Sequence, residues 1–127
     1  MIFVACGGSF ASSYPARFLL NQESSIRVQG YNSSEFVNAT PKNVDKNTLV
    51  IGTSTKATAE TVEALKVAKA KGAVTIGLSG YADSLTAQTA DYYVTYYHAD
   101  EWYKDRHLFI TTVRVQHKDR VLALKRV

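Results

Sequence analysis

The sequence predicts an α/β fold built on a parallel sheet. Three strand-like runs rich in apolar residues occupy positions 2–5, 48–53 and 73–78, as is typical of strands buried on both faces. Each run is followed by a segment in which apolar residues recur at helical spacing. Strands that alternate with helices favour a doubly wound sheet, in which ligands bind beyond the carboxyl ends of the strands.

The helix after the second run has the clearest pattern in the chain. Thr58 can cap its first turn, Glu60 and Glu63 lie near its beginning, and Gly72 can end it. The acidic side chains therefore lie at the end of the helix that favours negative charge. Three apolar positions are expected to face the sheet: Val62, Leu65 and Ala68.

The remaining elements have weaker signals. A helix is predicted over residues 10–22 with Ser9 or Ser12 as its N-cap, and Pro15 requires it to start late or to kink. The other predicted elements are a strand at 26–29, a loop at 31–36 that enters a brief helix capped by Ser33 or Ser34, a loop at 40–47, a helix at 84–90 and a strand at 91–97.

Composition limits the class of protein. The chain has 127 residues, of which 46% are hydrophobic, so it can form one domain with a buried core. No apolar run approaches the roughly 20 residues that span a bilayer, so no membrane association is expected. A single cysteine, Cys6, predicts a reducing cytoplasm. The three histidines are far apart in the sequence, and no metal site is predicted.

The last 24 residues differ from the rest of the chain. The formal net charge is +4, yet residues 1–103 hold eight Lys or Arg against nine Asp or Glu, whereas residues 104–127 hold seven against two. Residues 108–115 and 121–124 are strand-like. We therefore predict a domain over 1–103 and a basic tail or hairpin over 104–127. The tail has one aromatic side chain, Phe109, which argues against nucleic acid as a partner.

Two hydroxyl-bearing turns follow the first two runs. The first is Cys6-Gly7-Gly8-Ser9 and the second spans Thr53 to Thr58. Backbone N–H groups, hydroxyls and a helix N-terminus suit a phosphate group, although each turn alone can also be an ordinary strand-to-helix connection. Neither turn matches the glycine pattern for dinucleotides or the Gly-Lys-Ser/Thr of nucleotide triphosphate sites, so no cofactor is predicted.

Three motifs in order resemble the sugar isomerase (SIS) domain family. They are Ala5–Ser9, Ser34–Phe36 and Ser54–Thr61, and the similarity covers residues 2–101. The sequence looks most like the isomerase domain of glutamine–fructose-6-phosphate aminotransferases and like fructosamine or fructoselysine 6-phosphate deglycases. The resemblance implies a three-layer flavodoxin-like sandwich with a five-stranded parallel sheet, which binds a phosphorylated sugar or amino sugar and needs no cofactor.

The resemblance also implies which residues bind the phosphosugar. By motif position they are Gly7, Gly8, Ser9, Thr53, Ser54 and Thr58. The second loop departs from the usual Ser-x-Ser-Gly-x-Thr pattern, because Gly52 replaces the first serine and the loop is one residue longer. A lengthened loop resembles the deglycase branch of the family.

The catalytic residues are not identified by the motifs. Relatives of this kind use a glutamate and a histidine that a second SIS domain or subunit often supplies, so the resemblance implies that this chain alone lacks them. Glu35 and Glu101 are candidate pocket residues, but Glu35 can equally cap a helix, and Glu101 and His98 can belong to a polar loop. The family's helices before the first strand are also missing, which favours a homo-oligomer such as a dimer.

Two functions are therefore open at this point. The first is a phosphosugar-binding domain of an aminosugar or fructosamine 6-phosphate isomerase or deglycase that is incomplete as a catalyst. The alternative is a non-catalytic regulatory module that senses a phosphosugar and acts through the basic tail.

Overall fold

The computed structural model describes residues 1–96, 112–117 and 120–125. The elements in chain order are β1 (Ile2–Ala5), α1 (Gly7–Ser12), α2 (Tyr14–Glu23), β2 (Gln29–Asn32), α3 (Ser33–Asn38), β3 (Leu49–Thr53), α4 (Ala59–Ala70), β4 (Val74–Ser79), α5 (Leu85–Thr89), β5 (Tyr92–Thr95), β6 (Thr112–His117) and β7 (Arg120–Lys125). None of the helices in these ranges is long and apolar enough to cross a membrane.

Five parallel strands form the body of the sheet in the order β2-β1-β3-β4-β5. This is the flavodoxin-like order, in which the chain turns back between β1 and β3. Beyond β5, β6 pairs with it antiparallel, and β7 pairs antiparallel with β6. The predicted five-stranded α/β sandwich is therefore confirmed, and the two basic strand-like segments overlap the strands that continue its edge.

Alternation of side chains along β1 defines the two faces of the sheet. Ile2 and Val4 are buried in the core together with Val50 and with Leu65 of α4. Phe3 points to the opposite face, where it faces α1 and α2. Helices α3, α4 and α5 therefore cover one face of the sheet, and α1 and α2 lie over the other.

Two glycines allow strands to lie very close to the helix layer. A Cβ on Gly52 would lie 2.9 Å from the side chain of Leu65, and a Cβ on Gly77 would lie 2.7 Å from the carbonyl oxygen of Thr86. Both separations are shorter than normal contacts, so a side chain would require the Leu65 side chain to shift at position 52 and the backbone of α5 to shift at position 77. The glycine at 52, which departs from the usual family motif, thus has a packing role.

The strand predicted at 26–29 is wrong in position. Strand β2 instead begins at Gln29, because the pairing with β1 aligns Ile2 with Gln29 and Ala5 with Asn32. The helix that follows is capped by the Asn32 side chain, which accepts a hydrogen bond from the Ser34 N–H at 3.1 Å, and not by Ser33 or Ser34.

The helix predicted at 10–22 is broken, as Pro15 required. Helix α1 ends at Ser12 and α2 starts at Tyr14, so Pro15 lies in the first turn of a new helix, where its missing N–H has no cost. The helical spacing of apolar residues over 10–22 thus belongs to two short helices. Neither helix has a buried residue.

Candidate functional site

The two hydroxyl-bearing loops meet at the point where the sheet changes direction. Strands β1 and β3 are neighbours, and the chain leaves β1 toward α1 on one face but leaves β3 toward α4 on the other. Such a switch point opens a crevice at the carboxyl edge of the sheet. A pocket of about 760 Å³ lies here, lined by Phe3, Cys6, Gly8, Ser9, Ser12, Ser13, Ala16, Thr53, Thr55, Leu78, Val94 and Tyr96.

The first loop places a short glycine turn at the pocket. Gly7 has a φ of +53°, a conformation that side chains rarely adopt, so glycine is required there. A Cβ on Gly8 would meet nothing within 4 Å, so its backbone faces open space. Ser9 follows and lines the pocket, and among the described residues its hydroxyl has no hydrogen-bond partner.

Two neighbouring serines in the pocket wall are already engaged by the backbone. The Ser12 hydroxyl donates to the carbonyl oxygen of Ser9 at 2.7 Å, and the Ser13 hydroxyl donates to that of Phe10 at 2.7 Å. Because each hydroxyl has a single proton, neither can donate to a ligand without losing these bonds. Ser12 and Ser13 therefore shape the wall, whereas the Ser9 hydroxyl keeps its proton for a ligand.

Thr53, the last residue of β3, is a buried polar residue of the pocket wall, as Ser13 is. Its side chain is 8% exposed, it lines the pocket, and within the described ranges its hydroxyl makes no hydrogen bond. Thr86 and not Thr53 has the fully buried hydroxyl without a partner among the described residues, so the Thr53 hydroxyl is open to the pocket. A ligand in the pocket would supply the missing partner.

Ser54 and Thr58 are hydrogen-bonded to each other and do not line the pocket. Their hydroxyl oxygens are 3.0 Å apart, and the Thr58 N–H donates to the Ser54 hydroxyl oxygen at 2.9 Å. Ser54 is 2% exposed. Thr58 is the N-cap of α4, but its side chain makes no capping bond. In this arrangement the two residues hold the second loop closed.

The middle of the second loop is anchored to two further strands. The Thr55 carbonyl oxygen accepts from the Ser79 hydroxyl at 3.1 Å and from the Gly80 N–H at 3.0 Å, at the end of β4. The Thr55 hydroxyl oxygen is 3.2 Å from that of Tyr96, just beyond β5. Lys56 points elsewhere, with its amino group 6.0 Å from the centre of the Tyr81 ring.

The structure therefore separates the predicted binding residues into two groups. Gly8, Ser9 and Thr53 line one pocket, and Gly7 sets the turn beside them. Ser54 and Thr58 lie behind the loop. Glu35 is exposed in the first turn of α3 and is not among the residues that line this pocket. Glu101 and His98 lie outside the described residues.

Sequence reasoning missed the far side of the pocket. Tyr96 adds a hydroxyl there beside that of Thr55 in the predicted second loop, and Phe3, Leu78 and Val94 form an apolar floor on the sheet face that α1 and α2 lie over. Tyr96 follows β5, and the rule that ligands bind at carboxyl ends of strands could have found it. The floor could be derived only once the register was known, because alternation decides which apolar residues share a face.

The lining of the pocket is neutral. Its described residues include no Asp, Glu, Lys, Arg or His. Within the described ranges no group of three or more His, Cys, Asp or Glu could hold a metal ion. Hydroxyls and backbone N–H groups are therefore the donors that this part of the chain offers to a ligand.

A doubly wound parallel sheet with a hydroxyl-lined crevice at its switch point defines an α/β domain that binds small molecules. The chain belongs to the SIS domain family, whose model matches residues 1–113. It is 40% identical over 103 residues to fructosamine deglycase FrlB of Bacillus subtilis and 33% identical over 95 residues to fructoselysine 6-phosphate deglycase of Escherichia coli K12. These matches cover 80% and 74% of this chain.

Solved structures agree with this assignment. A candidate phosphosugar isomerase from Salmonella typhimurium LT2 shares 44% sequence identity over 77% of this chain, with a TM-score of 0.74. The chain spans 31% of the B. subtilis protein, 28% of the E. coli protein and 30% of the Salmonella chain. The predicted family is confirmed.

Proposed function

We propose that this chain binds a phosphorylated sugar or amino sugar, as a domain of an aminosugar or fructosamine 6-phosphate isomerase or deglycase. The observation that carries the proposal is the pair of hydroxyls on Ser9 and Thr53. They come from the two loops of the switch point, line the same pocket and have no partner among the described residues. The names of the similar proteins support the same ligand class.

A phosphate group fits these two loops better than the sugar ring does. A phosphate oxygen accepts hydrogen bonds, and the Ser9 and Thr53 hydroxyls can donate to it together with backbone N–H groups at the glycine turn. Bonds to a charged acceptor are stronger than bonds between neutral groups. The lining residues that the structure describes include no Lys or Arg, so the phosphate would be held by neutral donors, which suits a ligand that is released.

The proposed chemistry of the relatives needs proton transfer next to the sugar carbonyl. Among the described residues, the pocket lining offers neither a carboxylate nor an imidazole for this step. We therefore assign binding and orientation of the phosphosugar to this pocket, and assign proton transfer to groups outside it. On this proposal the chain binds substrate and alone does not convert it.

Titration calorimetry of the full chain tests the proposed function. We expect fructose 6-phosphate and glucosamine 6-phosphate to bind, because both present a phosphate to the Ser9 and Thr53 hydroxyls. Unphosphorylated fructose is the matched control and is expected to bind at least tenfold more weakly, since charged hydrogen bonds contribute about 1.5–3 kcal/mol each. No binding of either phosphosugar, or equal binding of fructose, would contradict the proposal.

We also propose that the chain forms a homo-oligomer, most simply a dimer. Helix α2 has no buried residue and exposes Tyr14, Phe18 and Leu19 by 60%, 55% and 59%. A cluster of exposed apolar side chains of this kind is typical of interaction surfaces.

Sedimentation velocity tests this proposal. We expect a dimer that the change Leu19→Lys dissociates. The control change Glu63→Lys lies on the exposed surface of α4 and is expected to leave the dimer intact. A monomer throughout, or equal effects of both changes, would refute this.

A further inference from the structure

Cys6 carries the only thiol of the chain, and the proposed binding of a phosphosugar does not use it. With no second cysteine, no disulfide within one copy can protect this thiol. The side chain is half-buried and lines the pocket, and among the described residues its sulfur has no hydrogen-bond partner. The thiol is therefore open to small reagents that enter the pocket.

The thiol lies beside the groups that are proposed to bind the phosphate. Ala5 is paired with Thr53 across the sheet, so Cys6 follows directly at the place where the two loops meet. The Thr53 side chain is nine-tenths buried, opens to this pocket and has no partner within the described ranges, so it marks a ligand position independently of the cysteine. Cys6 and Thr53 thus share the space in which the phosphate is proposed to bind.

A hydroperoxide is the class of reagent that fits this thiol. Hydrogen peroxide is a small neutral molecule, and the described lining of the pocket is neutral. The sulfur, as the thiolate, attacks one peroxide oxygen, so that an S–O bond forms and the O–O bond breaks. The proton that the thiol released joins the departing hydroxide, which leaves as water. Sulfur is oxidised to the sulfenic acid, and the peroxide is reduced.

The sulfenic acid would change what the pocket can bind. It adds an oxygen and an O–H group at the first loop, and these can form hydrogen bonds with the Ser9 and Thr53 hydroxyls. Those hydroxyls would then no longer be free for a phosphate. The change is reversible, because an external thiol reduces a sulfenic acid. A bound phosphosugar would in turn cover the sulfur.

We propose that Cys6 is a modification site at which a hydroperoxide reversibly abolishes phosphosugar binding, and that bound phosphosugar protects the thiol. This coupling rests on the proposed function, because it requires the phosphate to lie at Ser9 and Thr53.

Calorimetry of the full chain with fructose 6-phosphate tests the effect of oxidation. The chain is measured untreated, after treatment with a small excess of hydrogen peroxide, and after reduction of the treated sample with dithiothreitol. We expect affinity to fall roughly tenfold or more on oxidation, as for loss of a hydrogen bond to a charged group, and to return on reduction.

Cys6→Ser is the matched control for oxidation. It keeps a side chain of similar size and cannot form a sulfenic acid. Its own affinity, whatever the value, is expected to be the same before and after peroxide. The chain also has one methionine, Met1, which peroxide can oxidise, and a loss of affinity in Cys6→Ser would report that reaction.

Trapping of the sulfenic acid with dimedone, followed by mass spectrometry, tests the protection. Fructose 6-phosphate at about ten times its Kd is expected to slow formation of the Cys6 adduct about tenfold, because only the free chain reacts. Unphosphorylated fructose at the same concentration is expected to leave the rate unchanged.

Four results would overturn the proposal while the untreated chain still binds the phosphosugar, so that the proposed function stands. They are no dimedone adduct at Cys6, unchanged affinity of the oxidised chain, equal losses in Cys6→Ser, and equal adduct rates with and without fructose 6-phosphate. An untreated chain that binds neither fructose 6-phosphate nor glucosamine 6-phosphate would refute the proposed function, and the coupling at Cys6 with it.

Discussion

Replacing Phe36 by alanine is expected to lower the free energy of unfolding by about 3–5 kcal/mol. The Phe36 side chain is completely buried among Ile2, Val4 and Leu65, between α3, α4 and the sheet. Its removal leaves a cavity that the strands cannot fill, because parallel strands held by hydrogen bonds on both sides relax little. Urea denaturation followed by circular dichroism measures the change.

Phe18→Ala is the matched control for this prediction. The Phe18 ring is 55% exposed and lies 6.3 Å from the Tyr14 ring, so its loss is expected to change stability by about 0.5 kcal/mol or less. Both variants are compared at low protein concentration, where self-association contributes little. Equal destabilisation by the two changes would contradict the packing described here, since it would mean that α2 is buried or that α3 is not.

The parts of the fold that sequence predicted well are those in which local and long-range preferences agree. Strands β1, β3 and β4 lie within one residue of the apolar runs, because a short run of β-branched and apolar residues is typical of a strand in a covered parallel sheet. Helix α4 begins after Thr58 and ends before Gly72, whose φ of +87° explains why the helix stops there. Burial of Val62, Leu65 and Ala68 is confirmed.

The edge strand shows where local preference fails. Residues 26–29 have higher β-propensity than 29–32, which contain Gly30 and Asn32. The structure nevertheless uses 29–32, because the register is fixed by hydrogen bonds to β1 and begins with the Met1 carbonyl oxygen. Long-range pairing of this kind leaves no trace in a local window of sequence.

The candidate site shows the same limit. The motif placed Ser9, Thr53, Ser54 and Thr58 in two loops, but it could not say which hydroxyls bond to one another. The fold of the loop determines that the Ser54 and Thr58 hydroxyls bond to each other. It also determines that the Thr53 hydroxyl faces the pocket without a partner in the described chain. Sequence therefore identified the loops, whereas the division into closing and ligand-facing hydroxyls required the structure.

Thr53→Val is expected to weaken binding of fructose 6-phosphate about tenfold or more. Valine has nearly the shape of threonine, so the change removes the hydroxyl and leaves the buried packing at the end of β3 intact. The lost bond is one to a charged phosphate, which contributes about 1.5–3 kcal/mol. Stability is expected to change little, because the Thr53 hydroxyl has no partner within the described chain. Calorimetry measures the affinity and urea denaturation the stability.

Thr86→Val is the matched control for this change, because it makes the same substitution at a buried threonine whose hydroxyl has no partner in the described structure. Thr86 is completely buried on α5, away from the pocket lining. We expect Thr86→Val to leave affinity unchanged and to keep or slightly raise stability, since an unsatisfied polar group is removed. Unchanged affinity in Thr53→Val would refute Thr53 as a phosphate ligand. Equal weakening in both variants would refute it as well, because the loss would then come from altered packing and not from a bond to the ligand.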